Sequence, residues 1–134
     1  MIILDTDVMI DLLREYPPAV TWLESIGEEE IVMPGFVVME LIQGCRNKEE
    51  QERVKRELSA YCVEWPLPDM CDEALSVFVR YHLSHGIGIL DTIIGHMAAA
   101  LNLPLYTFNK KHYEVIPGLK IVQPYDRSCQ TERG

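Results

Sequence analysis

The chain has 134 residues, long enough for one packed core and too short for two. With 21 acidic residues against 12 basic ones its formal charge is −9, which argues against a protein that coats nucleic acid by charge alone. It contains no run of ~18 apolar residues and no basic N-terminal region, so neither a membrane span nor a signal peptide is expected, and the chain reads as cytoplasmic.

Ile2-Ile3-Leu4 reads as a strand buried on both faces and stopped at the carboxylate of Asp5. Ligands collect at the C-terminal edge of open α/β sheets, so an acid there can hold a metal or move a proton; it can equally start a turn. Thr6 and Asp7 offer a cap to a helix over Val8 to Arg14, which Pro17-Pro18 stops, and a second helix runs from Ala19 to Ile26 before Gly27. Ile31-Val32-Met33 is a short strand, and Pro34 opens a helix that Gly44 closes. Inside it, Glu40 is set among Phe36, Val37, Val38, Met39, Leu41 and Ile42. Burying an ionised carboxylate costs several kcal/mol unless it is paired or holds a cation. Glu40 is therefore either a site residue or a glutamate that snorkels or holds its proton.

Asn47 to Ala60 reads as a charged amphipathic helix, followed by a strand at Tyr61-Cys62-Val63 that Trp65-Pro66-Leu67-Pro68 ends. Asp69 is expected to cap a long helix with Ala74, Leu75, Phe78, Val79 and Leu83 at core spacing, ended by Gly86. Asp91 then lies in the first turn of a helix that buries Ile93, Ile94, Met97, Ala98 and Leu101; in that position it is a site residue or only a favourable charge at a helix start. Pro104 to Thr107 forms a strand leading to the turn Phe108-Asn109-Lys110-Lys111-His112, and Leu119 to Val122 forms the last strand. The polar tail Asp126 to Gly134 is expected to be disordered. The four cysteines form no C-x-x-C pair and read as free thiols, and His82-x-x-His85, without a second pair, reads as one helix face.

Strand-then-helix repetition predicts an α/β protein with a parallel sheet covered on both faces. Right-handed crossovers bring Asp5 and Asn109 to one sheet edge, with Glu40 and Asp91 nearby. Acids brought together repel unless a cation joins them, and an all-oxygen set suits Mg²⁺ or Mn²⁺ better than zinc. Such an ion activates water and stabilises phosphoryl charge, which makes phosphodiester hydrolysis the natural reaction. The bases placed to touch phosphate are Arg46, Lys110 and Lys111, with Lys48, Lys55 and Arg56 beside them.

The run Ile3-Leu4-Asp5-Thr6-Asp7-Val8, the stretch Pro34 to Leu41, the segment Ile89-Leu90-Asp91-Thr92-Ile93-Ile94 with Ala98-Ala99, and Thr107-Phe108-Asn109 together resemble a PIN domain of the VapC toxin type. The resemblance implies a single-domain α/β/α sandwich over residues 1–125 and a Mg²⁺-dependent endoribonuclease. It also implies a dimer silenced by a small antitoxin. Asp5, Glu40 and Asp91 match three of the family's acidic positions and are the expected metal ligands. Thr6 and Asp7 are expected to orient Asp5. Where the family often carries a last acid, this chain has Asn109 and His112, with Glu114 as a candidate to swing in. Two rivals are a binding-only PIN module, suggested by that missing acid, and a haloacid-dehalogenase-like phosphatase, suggested by Asp5-x-Asp7 but opposed by Met9 and the short chain.

Overall fold

The computed structural model describes residues 1–127. The elements run β1 (Ile2–Leu4), α1 (Thr6–Leu13), α2 (Pro17–Ser25), β2 (Ile31–Pro34), α3 (Gly35–Gln43), α4 (Lys48–Leu58), β3 (Cys62–Glu64), α5 (Pro68–His85), α6 (Ile89–Ala100), β4 (Leu105–Tyr106), α7 (Lys110–Tyr113) and β5 (Ile121–Val122). The strands form one sheet in the order β3-β2-β1-β4-β5, and every neighbouring pair is parallel. Parallel pairing forces each connection to cross over the sheet, so all strands end on one edge. β1 is central and fully buried, as its unbroken apolar run requires.

Several boundaries differ from the sequence expectation, each for a local reason. Asp5 itself is the N-cap of α1, its side chain accepting from the Thr6 amide, so Thr6 and Asp7 begin the helix and do not precede it. Pro17 and Pro18 occupy the first turn of α2, where an absent amide hydrogen costs nothing, and Pro68 does the same in α5. Asp69 therefore lies in the first turn of α5 and does not cap it; Leu67 holds that place.

The larger correction concerns α5. Its inward stripe is Ala74 with the partly buried Val77, Phe78 and Tyr81, spaced for one helical face against α6 and the core. Leu75, Val79 and Leu83, expected in the core, face solvent at 60%, 64% and 87% exposure. The helix has two apolar stripes, and spacing alone did not tell which one the fold covers.

On α6, Gly95 is required by a close approach: a Cβ there would collide with Ile116 and Tyr113. That contact seats Tyr113, which is wholly buried. Cys62 and Cys71 are exposed free thiols and Cys45 is a half-buried one. His82 stacks on Phe78 and His85 bonds Ser84, as a helix face would have it. Most of the tail expected to be disordered lies outside the described residues, but Arg127 is described and is bonded to α1.

Candidate active site

Asp5 follows the end of β1 and is 4% exposed. Its Oδ1 accepts from the Thr6 amide and its Oδ2 from Thr107 Oγ1, both at 2.8 Å. Burial, and after it the charge of Asp7, push the Asp5 carboxyl up from 3.8 to about 6, against the pull of those donors. Asp7 is also raised by burial, while the Phe108 and Val8 amides and the charge of Arg127 hold it down. Its Oδ2 accepts from the Phe108 amide at 2.9 Å and from Asn109 Nδ2 at 3.3 Å. Asp7 thus ties α1 to the turn after β4.

Glu40 is half-buried on α3, and its Oε1 accepts from Thr6 Oγ1 at 2.8 Å. It is not sealed in the core as the apolar residues around it suggested. It forms one wall of a cavity of about 200 Å³ between α1, α3 and α4, together with Arg14, Glu50 and Arg53. Thr6 therefore bridges two acids, its amide on Asp5 and its hydroxyl on Glu40.

Asp91, in the first turn of α6, accepts from Tyr113 Oη at 3.2 Å, and its Oδ2 stands 3.3 Å from His112 Nδ1. Tyr113 also lies near Asp5, but its hydroxyl donates to Asp91. Burial, then the charges of Asp5 and Asp91, push this phenol far above its ordinary range, so Tyr113 is a neutral donor at any working pH.

The structure brings Asp5, Thr6, Asp7, Glu40, Asp91, Asn109 and His112 to the carboxyl edge of the sheet. Among the described residues, however, no three His, Cys, Asp or Glu side chains converge closely enough to ligate one ion as they stand. Donors stand between the acids: the Thr107 hydroxyl between Asp5 and Asp7, and Thr6 between Asp5 and Glu40 with its amide on the first and its hydroxyl on the second, while the Tyr113 hydroxyl donates to Asp91. The donor set still fits a hard divalent cation in kind, because Asp5, Glu40 and Asp91 all offer oxygen, and a carboxyl raised by burial and then by the charge of Asp7 is one that a cation would stabilise in its ionised form.

Lys110 and Lys111 are exposed on α7 immediately after Asn109, whereas Arg46 is engaged by Glu50 at 3.3 Å on the α3–α4 connection. Glu114 is exposed beyond α7. Sequence reasoning missed the roles of Thr107, Tyr113, Arg14 and Arg53. Thr107 carried a usable signal, a hydroxyl ending a buried strand; Tyr113 looked like any core aromatic.

The PIN domain family model matches residues 2–116. The chain belongs to the PIN domain family. Within that family it is similar to ribonuclease VapC10 of Mycobacterium tuberculosis, at 34% identity over 122 residues, covering 90% of this chain and 91% of the relative. Among solved structures, VapBC-1 from nontypeable Haemophilus influenzae aligns with a TM-score of 0.75 at 26% identity, over 92% of this chain and 98% of that one. A toxin–antitoxin complex from Klebsiella pneumoniae aligns with a TM-score of 0.75 at 24% identity, over 94% of this chain and 99% of that one, a likeness of fold. Membership as a PIN domain of the VapC type sets aside the haloacid-dehalogenase alternative.

Proposed function

We propose that this PIN domain is a divalent-metal-dependent endoribonuclease, the toxin of a toxin–antitoxin pair acting in the cytoplasm. The observation that carries the proposal is the buried Asp5 at the carboxyl edge of the central strand, its carboxyl raised to about 6, linked to Asp7 through the Thr107 hydroxyl and to Glu40 through the amide and hydroxyl of Thr6, with Asp91 held by Tyr113. Asp5 and Asp91 would hold Mg²⁺ or Mn²⁺, with Glu40 ligating or positioning water. When bound, such an ion supplies an activated water and stabilises charge on the phosphoryl oxygens.

The chain's own residues do the positioning. Thr107 and the Thr6 amide hold the Asp5 carboxylate, Thr6 Oγ1 holds Glu40, and the buried Tyr113 holds Asp91. Asn109 and His112 complete the rim on Asp7 and Asp91. The exposed Lys110 and Lys111 would meet RNA phosphates, with Arg46, and with Arg14 and Arg53 of the cavity beside Glu40, as further bases.

Two protein partners belong to the same proposal. A small antitoxin would silence the site by covering the acidic groove, with an arginine fork on the carboxylates. A second copy would cover the Leu75-Val79-Leu83 stripe. Turned about a two-fold axis near Val79, the stripe would set Leu75 against Leu83 of the second copy.

The deciding experiment is cleavage of single-stranded RNA by the purified chain with and without Mg²⁺, for wild type and Asp5→Asn. Metal-dependent cleavage that Asp5→Asn abolishes supports the proposal. A folded wild type that never cleaves leaves the binding-only module.

A further inference from the structure

The family match ends at residue 116, yet the chain continues through β5 and returns to the site. Arg127 makes its contacts in three directions at once. Its Nη2 and Nε donate to Asp11 Oδ2 on α1 at 2.7 and 3.0 Å, its Nη2 donates to the Asp7 carbonyl at 3.3 Å, and its guanidinium lies 3.9 Å over the Phe108 ring. Tyr125, two residues earlier, donates its hydroxyl to the same Asp11 oxygen at 2.7 Å and packs edge-on against Phe108 at 4.9 Å between centroids. The Arg127–Asp11 pair is 35% and 15% exposed, so it is more shielded from water than an ordinary surface pair.

These contacts have one feature in common. The Asp7 carboxylate accepts from the Phe108 amide, and Arg127 grips both ends of that bond: the Asp7 backbone and Asp11 on α1, and the Phe108 ring on the turn after β4. The other ties between this turn and α1 are the bonds of Asp7 to Thr107, Phe108 and Asn109, and Tyr125 between Asp11 and Phe108. A guanidinium stacked on an aromatic ring while forked onto a carboxylate uses the planar geometry that only arginine has.

We infer that residues 123–127 form a strap that sets the acidic site, with Arg127 as a positioning residue that holds the Asp7–Phe108–Asn109 corner in register with Asp5. The hydrogen bonds of Arg127 and of the Tyr125 hydroxyl fall on Asp7 and Asp11, beside the expected metal ligands. The strap acts on the spacing between α1 and the β4–α7 turn, and through Asp7 on the field and orientation felt by Asp5. A loosened strap lets the turn drift and Asp7 lose its Phe108 donor while the core stays packed, because the core cluster is built largely from the sheet and the helices over it. The consequence for cleavage rests on the nuclease proposal; the positioning itself does not.

The test uses the full chain as wild type, Arg127→Ala, Arg127→Lys and Tyr125→Phe. Two readouts are independent of cleavage: Mn²⁺ affinity by electron paramagnetic resonance, and hydrogen exchange of the Phe108 amide by NMR. Arg127→Ala should weaken Mn²⁺ binding about tenfold, the usual scale for groups behind a metal site, and speed Phe108 exchange while β1 and β4 amides stay protected. Arg127→Lys, which keeps the charge without the fork, should recover only part of both. Tyr125→Phe, which removes a single bond to Asp11, should shift both in the same direction by less, and it carries the test if Arg127→Ala fails to fold. Unchanged Mn²⁺ affinity and Phe108 exchange in folded variants would overturn the inference. So would uniform loss of protection across the core, which marks a merely structural role. If wild type binds Mn²⁺ and responds as expected but cleaves no RNA, the nuclease proposal fails and the strap stands.

Discussion

Thr107 Oγ1 donates to Asp5 Oδ2 at 2.8 Å across 102 positions of sequence. The sheet register makes this pair: Leu4 lies beside Tyr106 in the parallel β1–β4 ladder, so the next residue of each strand meets at the same edge. Thr107 is 1% exposed, and its hydroxyl also accepts from the Asn109 amide at 3.0 Å. One buried hydroxyl therefore serves the acid and the turn together.

Thr107→Val keeps the shape and removes that hydroxyl. It leaves a buried carboxylate oxygen and an amide short of a partner, a loss of about 1–3 kcal/mol. We expect this loss in urea denaturation at pH 7, with weaker Mg²⁺ binding, and recovery of both in Thr107→Ser. Wild-type stability and cleavage in Thr107→Val would refute the role given to the hydroxyl.

The raised carboxyl of Asp5 has a definite sign in pH. Its folded value of about 6 lies above the unfolded value near 3.8, so the folded chain binds the proton more tightly. Stability from this group is fully present below about pH 4 and is lost as pH rises through about 6, a difference on the order of 3 kcal/mol. Asp7 is raised too and acts in the same direction. Without metal, Asp5→Asn should therefore be more stable than wild type at pH 7.5 and lose that advantage at pH 4. With Mg²⁺, wild type should gain stability at pH 7.5 and little at pH 5, since the ion must displace the proton. Thermal midpoints at the three pH values, with and without Mg²⁺, check both statements.

Much of this site was legible in the sequence because its acids stand where elements change. Asp5 ends an apolar run, Asp91 opens a helix and Asn109 follows a strand, and a parallel sheet sends all such ends to one edge. The mode of connection was not legible. Tyr113 is separated from Asp5 and Asp91 by over twenty residues or more and carries no local mark of its partners. Glu40 was singled out for its apolar neighbours in sequence, but the structure gives it a cavity wall, since a helix face open to a groove looks the same in sequence as one pressed on a core. The same ambiguity misplaced Leu75, Val79 and Leu83. Arg127 lay in a polar tail, where composition hides a single forked contact.

The exposed stripe on α5 leads to a separate expectation. Val79→Glu puts a charge at the centre of the exposed stripe and, at 64% exposure, disturbs little within one copy. We expect a dimer for wild type and a folded monomer for the variant by light scattering, with circular dichroism unchanged. Val79→Cys should form a disulfide between copies on oxidation if the two-fold axis passes near this residue. A monomeric wild type, or a dimer indifferent to Val79→Glu, would remove the stripe from the interface.

His112 and Asn109 stand at the two places where the resemblance led to the expectation of an acid, and their different contacts lead us to expect different outcomes for their aspartate variants. His112 Nδ1 is 3.3 Å from Asp91 Oδ2 and its side chain is 61% exposed. His112→Asp replaces that contact with a second carboxylate facing Asp91, so without metal the like charges should cost up to about 1 kcal/mol, the scale for exposed pairs. With Mg²⁺ the added oxygen joins an all-oxygen donor set, and cleavage should reach half its maximum at lower metal. Asn109 instead donates Nδ2 to Asp7 Oδ2 at 3.3 Å. Asn109→Asp turns that donor into a repelling acceptor against a carboxylate already raised by burial, so it should be less stable without metal, and because its neighbour Asp7 is not one of the expected metal ligands it should gain less from Mg²⁺ than His112→Asp does. Thermal midpoints and Mg²⁺ titrations of cleavage for both variants decide the matter. Equal responses would mean that neither neighbour sets the metal requirement, and loss of cleavage confined to Glu114→Gln would give the last position to Glu114.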